Sequence, residues 1–549
     1  MSRGEGWATL CADALARFLA SNDDVTQVQF GYGEPPGPAL GRKVFDVLVV
    51  GSGASGSVVA AQCAALGLDV LVVERGPHVG NRTLDEIQEL CEPAYARDAK
   101  GCWNLSGYPW TTCNVGGGTV FYGGVALRAR RVDFAAAHHL GDGDLPPDWP
   151  YGYDELSEIY HELEHLIGVS GDAQADPLHP DPMHRLPFGA VPMTPAGVLL
   201  RDAGDSLGMH GFPTPLAVSQ QDRGSRLACQ RDAPCMDRAC PHGAKGDART
   251  VFLNPALASR KVTLLSGMVV SRVFRRRPDQ IDGVEAVHVV DGSVHRLNAR
   301  CVVLAANAIQ SAALLLRSVD EWSTDGIGNE HDMVGRGLSF KLNEYVEAYL
   351  GDEVPVSGHD DGAGPFSTVC FMDHYVDSAA PAGLGGLVYE NRYSFRPAML
   401  EPQRALRLEC LVADQPVRAN RVRLSTVTGP IGLPYVVLDY QTHPRDAARL
   451  DYVSERMVEL LRAAGGQWIR RVSTDFSLGS CHLHGGVRGG ADPITSVADP
   501  TGRLHEVENV YVADGGFFPF STGVNPTLTI QAHALRTARI VASTLAADS

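Results

Sequence analysis

Two histidines near the end of the chain could act as a catalytic base. They stand in the stretch SCHLHGG, where His482 and His484 are two positions apart and precede a pair of glycines. Histidine is the side chain that most readily accepts a proton near neutral pH. In an extended segment both rings would lie on the same face, so periodicity alone does not say which of them is the base.

A second chemical signal lies near the start of the chain. The stretch GSGASG supplies Gly51, Gly53 and Gly56 in the spacing G-x-G-x-x-G. The first glycine permits a sharp turn, the second lets the backbone approach a pyrophosphate, and the third lets a helix pack closely on a strand. Glu74 follows 23 residues after Gly51, where a carboxylate can bind a ribose hydroxyl. The pattern predicts a dinucleotide site.

These residues need a strand–helix–strand unit to position them. Residues 45–50 form an apolar, valine-rich run, as expected of a strand buried on both faces. A helix-like stretch follows over 55–66, and a second apolar strand over 70–73 ends at Glu74. The glycine fingerprint therefore lies in the context that gives it meaning.

The remaining sequence predicts a mixed α and β protein. Short runs that alternate apolar and polar residues fill 340–440, which is typical of an antiparallel sheet with one covered face. Strands are also predicted near 262–273, 284–297 and 301–304. Helices are predicted over 7–20, 153–167, 446–464 and 529–545.

Composition and net charge limit the classes of partner that this protein could bind. The chain has 549 residues, enough for two or more domains, with 44% hydrophobic and 20% charged residues. The formal net charge of −17 disfavours nucleic acids and anionic membranes and mildly favours cationic ligands. We find neither a secretory leader nor an apolar run long enough to span a membrane. We therefore expect a cytoplasmic protein whose cysteines are mostly reduced thiols.

Several sequence blocks occur in the order seen in the glucose–methanol–choline (GMC) family of flavin oxidoreductases, which this chain resembles over most of 45–549. Besides the fingerprint and Glu74, they are CNVGGGTVFYGGVALRARRVDF (113–134), CVVLAANAIQSAALLLRS (301–318), MVGRGLSF (333–340) and the block over 482–536 that contains VADGG and GVNP. The sequence departs from the family at Asn307, usually glycine, and at Ala312, usually proline. The 113–134 block contains no histidine, so the resemblance gives no support to covalent flavin attachment there.

The resemblance implies a fold with two parts. An α/β FAD-binding domain of Rossmann-like type would comprise 44–134, 225–338 and 476–549. An α+β substrate-binding domain built on an antiparallel sheet would comprise 135–224 and 339–475. Residues 1–43 would form an N-terminal helix and linker.

The resemblance also implies which residues hold FAD. Asp514 in VADGG would approach the ribityl or pyrophosphate part of the cofactor, and Gly515 would let the backbone come close. Gly117 would pack on the isoalloxazine, and the backbone of Val270 would meet the adenine. The simpler alternatives are ordinary turns for the glycines and an ordinary core position for Val270.

Of the two histidines, His482 matches the family pattern H-x-x-G-(G/T). It would be the base, with His484 in a supporting role. Its partner would be Asn525 in GVNP, which would bind the substrate oxygen, because an amide does not act as a base. The alternative is that Asn525 only stabilises the turn before Pro526.

Three cysteines form the one local cluster, spaced C-x5-C-x4-C-P at Cys229, Cys235 and Cys240. Some family members resemble the chain here, and a few related subunits bind an iron–sulfur cluster with such thiolates. A disulfide between Cys229 and Cys235, or a zinc site using His242, are further alternatives. Only three thiols stand together, so we expect no metal and favour a structural loop near the active-site entrance.

The resemblance implies FAD-dependent oxidation of an alcohol to an aldehyde or ketone, with the proton passing to His482 and a hydride to flavin N5. The acidic composition favours a cationic alcohol, such as an amino sugar of the aminoglycoside type in antibiotic biosynthesis. Sterols, choline-like alcohols and long-chain alcohols are alternatives, and the electron acceptor is either oxygen or another carrier. A flavin-dependent hydroxynitrile lyase and a non-catalytic flavoprotein scaffold are the competing classes.

Overall fold

The computed structural model describes residues 3–22, 31–86, 93–97, 101–106, 111–140, 143–181, 183–351, 364–377, 381, 383–392, 404–472 and 481–547. Its helices are α1 Arg3–Ser21, α2 Pro38–Arg42, α3 Ala54–Ala65, α4 Ala137–Leu140, α5 Asp154–Ile167, α6 Pro195–Ser206, α7 Asn254–Ala258, α8 Ala308–Arg317, α9 Pro444–Ala463 and α10 Thr527–Ala547. Its strands are β1 Val44–Val50, β2 Val70–Glu74, β3 Ala94–Arg97, β4 Trp103–Ser106, β5 Val262–Ser266, β6 Met268–Arg277, β7 Gln280–His288, β8 Val294–Leu304, β9 Ser339–Phe340, β10 Leu342–Leu350, β11 Cys370–Phe371, β12 Gly385–Glu390, β13 Ala405–Val412, β14 Arg421–Thr428, β15 Pro434–Asp439, β16 Gly466–Val472, β17 Leu483–His484 and β18 Val510–Val512.

The largest sheet has seven strands and is parallel where the cofactor fingerprint lies. Its order is β5-β2-β1-β8-β7-β6, and β18 adds to the carboxyl-terminal half of β8. Strands β5, β2, β1, β8 and β18 run parallel, whereas β6 and β7 are antiparallel. Except for Val44 at the start of β1, the valines of β1 and β2 are buried, as both-face coverage requires. The predicted β1–α3–β2 unit is therefore confirmed, and α10 packs on α3.

One predicted strand is divided in two. Residues 262–273 contain Gly267, whose φ of +79° takes the chain out of the extended region between β5 and β6. As a result β5 continues the parallel part of the sheet, while β6 begins a hairpin with β7. The apolar run alone gave no sign of this break.

A five-stranded antiparallel sheet confirms the alternation seen over 340–440. Its order is β11-β12-β13-β10-β16. Every second residue of β13, including Leu408, is buried in a core that also contains Met457 of α9. The opposite face presents Tyr345, Glu409 and Tyr389, which are aligned across β10, β13 and β12. Residues paired across a ladder share a face, so we refer to this set as the polar face of the sheet.

Two smaller sheets complete the fold. A four-stranded sheet has the order β14-β15-β3-β4, and it joins 94–106 to 421–439, segments that the sequence-based division places in different domains. That division remains a prediction. A two-stranded ladder joins β9 to β17. Across the ranges given above, no helix is both long and apolar enough to cross a membrane.

Candidate active site

The fingerprint turn after β1 has room only for glycine at two of its positions. Gly51 has a φ of +99°, and a Cβ there would lie 2.5 Å from the Ala305 carbonyl oxygen. A Cβ on Gly56 would lie 2.0 Å from the Gly51 carbonyl oxygen. These contacts let α3 begin directly at the end of β1, as the sequence predicts.

The amino terminus of α3 is suited to a pyrophosphate. Gly53 caps the helix without a side-chain hydrogen bond, and no acidic residue occupies the first turn. The first backbone N–H groups of the helix are therefore available to an anion. Gly117, with a φ of +58°, adjoins this turn so closely that a Cβ there would lie 2.8 Å from the Gly53 Cα. The predicted flavin loop thus lies directly against the fingerprint.

Glu74 ends β2 beside the same turn. Its carboxylate accepts hydrogen bonds from the Ser52 backbone N–H at 2.9 Å, from the Ser52 hydroxyl at 2.7 Å and from the Gly76 N–H at 2.8 Å. Ser52 Oγ in turn accepts from the Gly116 N–H at 3.1 Å. Burial raises the pKa of Glu74, although these hydrogen bonds oppose the shift. Three donors leave acceptor capacity on this carboxylate for a ribose hydroxyl.

Asp514 follows β18 at the carboxyl end of the same parallel sheet. Its carboxylate accepts from the Ser311 hydroxyl at 2.6 Å and from the Gly516 N–H at 2.8 Å. Burial raises the pKa of Asp514 to about 6. Gly515 begins a short 3-10 turn, where its carbonyl accepts from the Gly485 N–H at 3.1 Å. The polar groups of this region fit FAD, because the uncapped helix terminus offers N–H donors to a pyrophosphate and the buried acids at the strand ends can accept from hydroxyl groups.

Asn307 explains one departure from the family. It has a φ of +75°, a backbone conformation that glycine adopts without strain. Its side-chain oxygen accepts from the N–H groups of Ile309 and Gln310 at 3.0 and 3.1 Å, which caps α8. The ψ of 164° places Asn307 in a region that is essentially restricted to glycine, so its backbone is strained, and the helix cap made by its side chain offsets part of that strain.

Val270 lies within β6, opposite Ala286 of β7, and is buried. This placement suits a core valine as well as a backbone contact to adenine. The adenine contact remains a prediction.

The register of the small ladder brings His482 next to a lysine. Leu483 pairs with Phe340 and His484 with Ser339. Antiparallel pairing continued by one residue sets His482 opposite Lys341. His482 is partly exposed, whereas Lys341 is buried.

The glycine pair after the histidines allows three segments to meet. A Cβ on Gly485, whose φ is +76°, would lie 2.0 Å from the Gly337 carbonyl oxygen. The Gly486 N–H donates to the Arg336 carbonyl at 3.1 Å, and the Val487 N–H donates to the Gly516 carbonyl at 3.1 Å. The histidine segment is therefore held between the 335–340 segment and the turn after Asp514.

Lys341 places a positive charge at the base. Its Nζ donates to the Thr522 hydroxyl at 3.2 Å, three residues before Asn525. Burial lowers the pKa of Lys341 to about 7, against the attraction of Asp133 and Asp414. Burial and then the charge of Lys341 lower the pKa of His482 to about 3. His482 is therefore a neutral imidazole over the working range of most enzymes, the form that can accept a proton.

His484 has a different environment. It is completely buried, and its ring stacks on Phe518 at a centroid distance of 5.6 Å. Within the described chain neither ring nitrogen makes a well-aligned hydrogen bond, although the backbone of His482 interacts weakly with the ring. Burial and the charge of Lys341 hold its pKa well below the usual value. These contacts favour a packing role.

Asn525 is oriented by the polar face of the sheet. The Tyr389 hydroxyl interacts electrostatically with both Asn525 and Glu409. Because an ionised carboxylate only accepts, the polarity of this arrangement makes Tyr389 the donor toward Glu409 and the acceptor toward the Asn525 amide. The Asn525 Oδ1 then has no partner among the residues whose positions are described. The loop is fixed two residues earlier, where the Gly523 N–H donates to the Tyr375 hydroxyl at 3.0 Å.

In the structure Lys341 connects the segments that carry His482 and Asn525, and Asn525 lies near Tyr389 and Glu409 of the polar face. Of these five residues the sequence predicted only His482 and Asn525. A signal for Glu409 was present: it is a carboxylate in the strand ALRLECLV, which is apolar apart from Glu409 and Arg407. Lys341 likewise interrupts the apolar run LSFKL. Neither residue could be assigned to the site without knowledge of the strand pairing.

The three cysteines of the predicted cluster lie together in the structure. Cys229, Cys235 and Cys240 line one small pocket, and no disulfide joins them. The segment is tied to the flavin loop by the buried Lys245, whose Nζ donates to the carbonyls of Val120, Tyr122, Cys235 and Arg238 at 2.8, 3.2, 2.5 and 2.9 Å. An iron–sulfur role for the three thiols stays an untested hypothesis.

A metal site is not evident in the described ranges either. The one set of three potential ligands with all ligand atoms within 4.8 Å there is His161, Glu164 and His184. Both Glu164 oxygens already accept from Arg128 at 2.7 Å. A guanidinium in this position repels a cation, so Glu164 and His184 form a buried polar network with Arg128, and the exposed His161 lies at its margin.

The parallel sheet carries a glycine fingerprint at the carboxyl end of β1, and the chain also supplies a histidine base and the polar face of a second sheet. Together these features are typical of a dinucleotide-dependent oxidoreductase. The chain belongs to the GMC oxidoreductase family, since two models of that family match residues 45–343 and 416–534. It is an FAD-dependent enzyme that oxidises the CH–OH group of a small-molecule alcohol.

Two curated relatives and one solved structure illustrate the similarity. The 6'''-hydroxyparomomycin C oxidase of Streptomyces lividus is 46% identical over 516 residues, covering 93% of this chain and 94% of the relative. The paromamine 6'-oxidase of Streptomyces fradiae is 45% identical over 526 residues, covering 93% and 95%. The pyridoxine 4-oxidase of Mesorbium loti has a TM-score of 0.62 at 19% identity, covering 90% and 99%, and supports the fold alone.

Removing the charge of Lys341 tests the electrostatic description. In Lys341→Met the imidazolium form of His482 loses a repelling neighbour, so the pKa of His482 moves up toward its ordinary value. The acidic limb of the kcat/KM profile, below which the base is protonated, is then expected to move to higher pH by roughly one unit. The measurement is a pH–rate profile beside Lys261→Met, which removes an exposed lysine. A limb that stays in place or moves to lower pH contradicts the description.

Proposed function

We propose that this enzyme oxidises a hydroxyl group of an aminoglycoside or of its amino-sugar precursor, as a step in antibiotic biosynthesis. The observation that supports the proposal is the 46% and 45% identity, over 93% of the chain, to oxidases named for hydroxyparomomycin and paromamine. An acidic protein with a net charge of −17 also favours a polycationic substrate over a neutral one.

The site residues provide a simple division of roles. His482, kept neutral by burial and by Lys341, accepts the hydroxyl proton of the substrate. Asn525, oriented by Tyr389, binds the substrate oxygen and holds the carbon in line. Bound FAD supplies the hydride acceptor. The base and its partner come from separate loops, which Lys341 joins by lying opposite His482 and donating to Thr522.

We further propose oxygen as the electron acceptor and the cytoplasm as the location. The first is supported by the word oxidase in the names of the two relatives. The second is supported by the unbonded thiols of Cys229, Cys235 and Cys240, which persist in a reducing compartment.

The test is a substrate screen on the purified yellow protein. In the absence of oxygen, paromamine is expected to bleach the flavin and to be converted to an aldehyde, and admission of oxygen is expected to restore the colour and release hydrogen peroxide. Choline, a sterol and a long-chain alcohol serve as comparison substrates. Bleaching by one of these but not by paromamine would reject the amino-sugar proposal. Cleavage of a hydroxynitrile without bleaching would instead indicate the lyase.

A further inference from the structure

Glu409 is a buried carboxylate at the centre of the polar face. It lies on β13 between Tyr345 of β10 and Tyr389 of β12. Its oxygens accept from the side-chain amides of Asn343 and Asn391 at 3.3 and 2.8 Å, and from the Tyr389 hydroxyl. All three donors are neutral groups, which orient the carboxylate without neutralising its charge.

No cationic side chain pairs with Glu409 in the described part of the protein. Arg407, two residues away on the same face, instead forms an ion pair with Glu347 at 2.5 Å. Glu347 also binds Arg470 at 2.7 Å. A buried carboxylate without a counter-ion is energetically unfavourable, and burial accordingly raises the pKa of Glu409. A cationic group of a bound ligand would pair with this carboxylate and offset the cost of burying its charge.

Glu409 is close to the loop that carries Asn525. Gly523, two residues before Asn525, packs against β12, where a Cβ on it would lie 2.6 Å from the Gly385 Cα. Tyr389 of the same strand lies opposite Glu409 and interacts with Asn525. The carboxylate therefore lies near the loop whose Asn525 would bind the reacting alcohol.

The surrounding polar atoms also favour a ligand with many N–H and O–H donors. The side-chain oxygens of Asn343 and Asn525 are buried and have no hydrogen-bond partner in the described ranges. The amide of Asn343 cannot be turned round at no cost, because its Nδ2 already donates to Glu409. Two unfilled acceptors thus lie beside a carboxylate that lacks a counter-ion, and an alkylammonium carries three donors and a positive charge.

We propose that Glu409 is the specificity residue that binds an ammonium group of the substrate and so directs the neighbouring hydroxyl to His482 and Asn525. This inference rests on the proposed function and adds the residue that recognises the amine. The ligand class is a protonated amino sugar, held by a charge-assisted hydrogen bond to the carboxylate and by the amide oxygens of Asn343 and Asn525.

The experiment compares wild type, Glu409→Gln and Glu390→Gln on two substrates: paromamine and an analogue in which hydroxyl groups replace its amino groups. Glu390 provides a matched control, because it is a buried carboxylate on β12 that faces the other side of the same sheet and accepts from Thr368. Flavin absorbance and thermal unfolding of each variant report whether the fold and the cofactor are retained.

Glu409→Gln is expected to raise KM for paromamine roughly 10- to 100-fold, with a much smaller change in kcat. KM for the hydroxyl analogue should change little, and Glu390→Gln should behave as wild type on both substrates. If Glu409 only positions Tyr389 and Asn525, kcat falls equally for both substrates, and the inference is overturned.

The inference and the proposed function fail in different ways. If wild type oxidises paromamine but Glu409→Gln leaves the preference for the amine unchanged, the proposed function stands and the role of Glu409 is rejected. If wild type oxidises neither paromamine nor another amino sugar, both are rejected. If Glu409→Gln loses flavin, Glu409→Asp, which keeps the charge, must restore the preference for paromamine along with the flavin; otherwise the inference is rejected.

Discussion

Replacing His482 by alanine is expected to lower kcat by roughly two to four orders of magnitude, the usual contribution of a positioned general base. The reduction should not be accompanied by flavin loss, because His482 lies outside the fingerprint turn, whose helix terminus would hold the pyrophosphate. The measurement is the rate of anaerobic flavin bleaching with a saturating alcohol, together with the flavin content of the purified variant.

The comparison with His484 makes this test specific. His484→Phe keeps an aromatic ring against Phe518 and removes both ring nitrogens, so it should retain most of the activity. Added imidazole should restore part of the activity of His482→Ala by occupying the vacated space. Full turnover in His482→Ala, or loss of turnover in His484→Phe with the flavin retained, would reverse the assignment of the two histidines.

Replacing Gly56 by alanine is expected to abolish FAD binding and to destabilise the protein by about 3 kcal/mol, the upper end of what overpacking usually produces. The new Cβ would lie 2.0 Å from the Gly51 carbonyl oxygen and 2.9 Å from its carbon, both backbone atoms. Relief therefore requires α3 to move away from β1, which takes the helix terminus out of position for a pyrophosphate. Visible flavin absorbance and thermal unfolding measure the two effects.

Two further glycines separate the steric cause from the loss of cofactor contact. A Cβ on Gly53 would meet only the Gly117 Cα at 3.8 Å, an ordinary contact, so Gly53→Ala should fold normally and still bind FAD weakly. Gly189 has nothing within 4 Å of such a Cβ, and Gly189→Ala should match wild type. Normal flavin content in Gly56→Ala would show that the turn does not hold the cofactor.

Local elements of this fold could be predicted from the sequence because their signals are local. The apolar runs of β1 and β2 with the glycines between them specify a strand, a turn and a helix without reference to the rest of the chain. The amphipathic pattern before Ala463 specifies α9 in the same way. The end of β5 at Gly267 was not predictable, since a glycine in an apolar run is compatible with either an unbroken strand or a break.

The candidate site depended on pairing between distant segments. His482 and His484 share a face of an extended segment, and the register of the ladder with β9, continued by one residue, sets His482 rather than His484 opposite Lys341. Glu409 and Asn343 are 66 residues apart, and their hydrogen bond exists because β13 pairs with β10. Sequence patterns specify which residues share a face of one strand, but the register between strands decides which side chains meet.

The placement of β18 has a consequence for how the enzyme is made. This strand pairs with β8, which pairs with β1, and the helix that follows it packs on α3. During synthesis, several hundred residues are therefore added after the first cofactor-binding strand, β1, before the last one, β18, is made. At about 5–20 residues per second, the interval is on the order of half a minute to a minute and a half. Flavin capture in the native geometry thus requires β18 and α10 to have left the ribosome, and earlier folding intermediates lack the stabilisation that the bound cofactor provides.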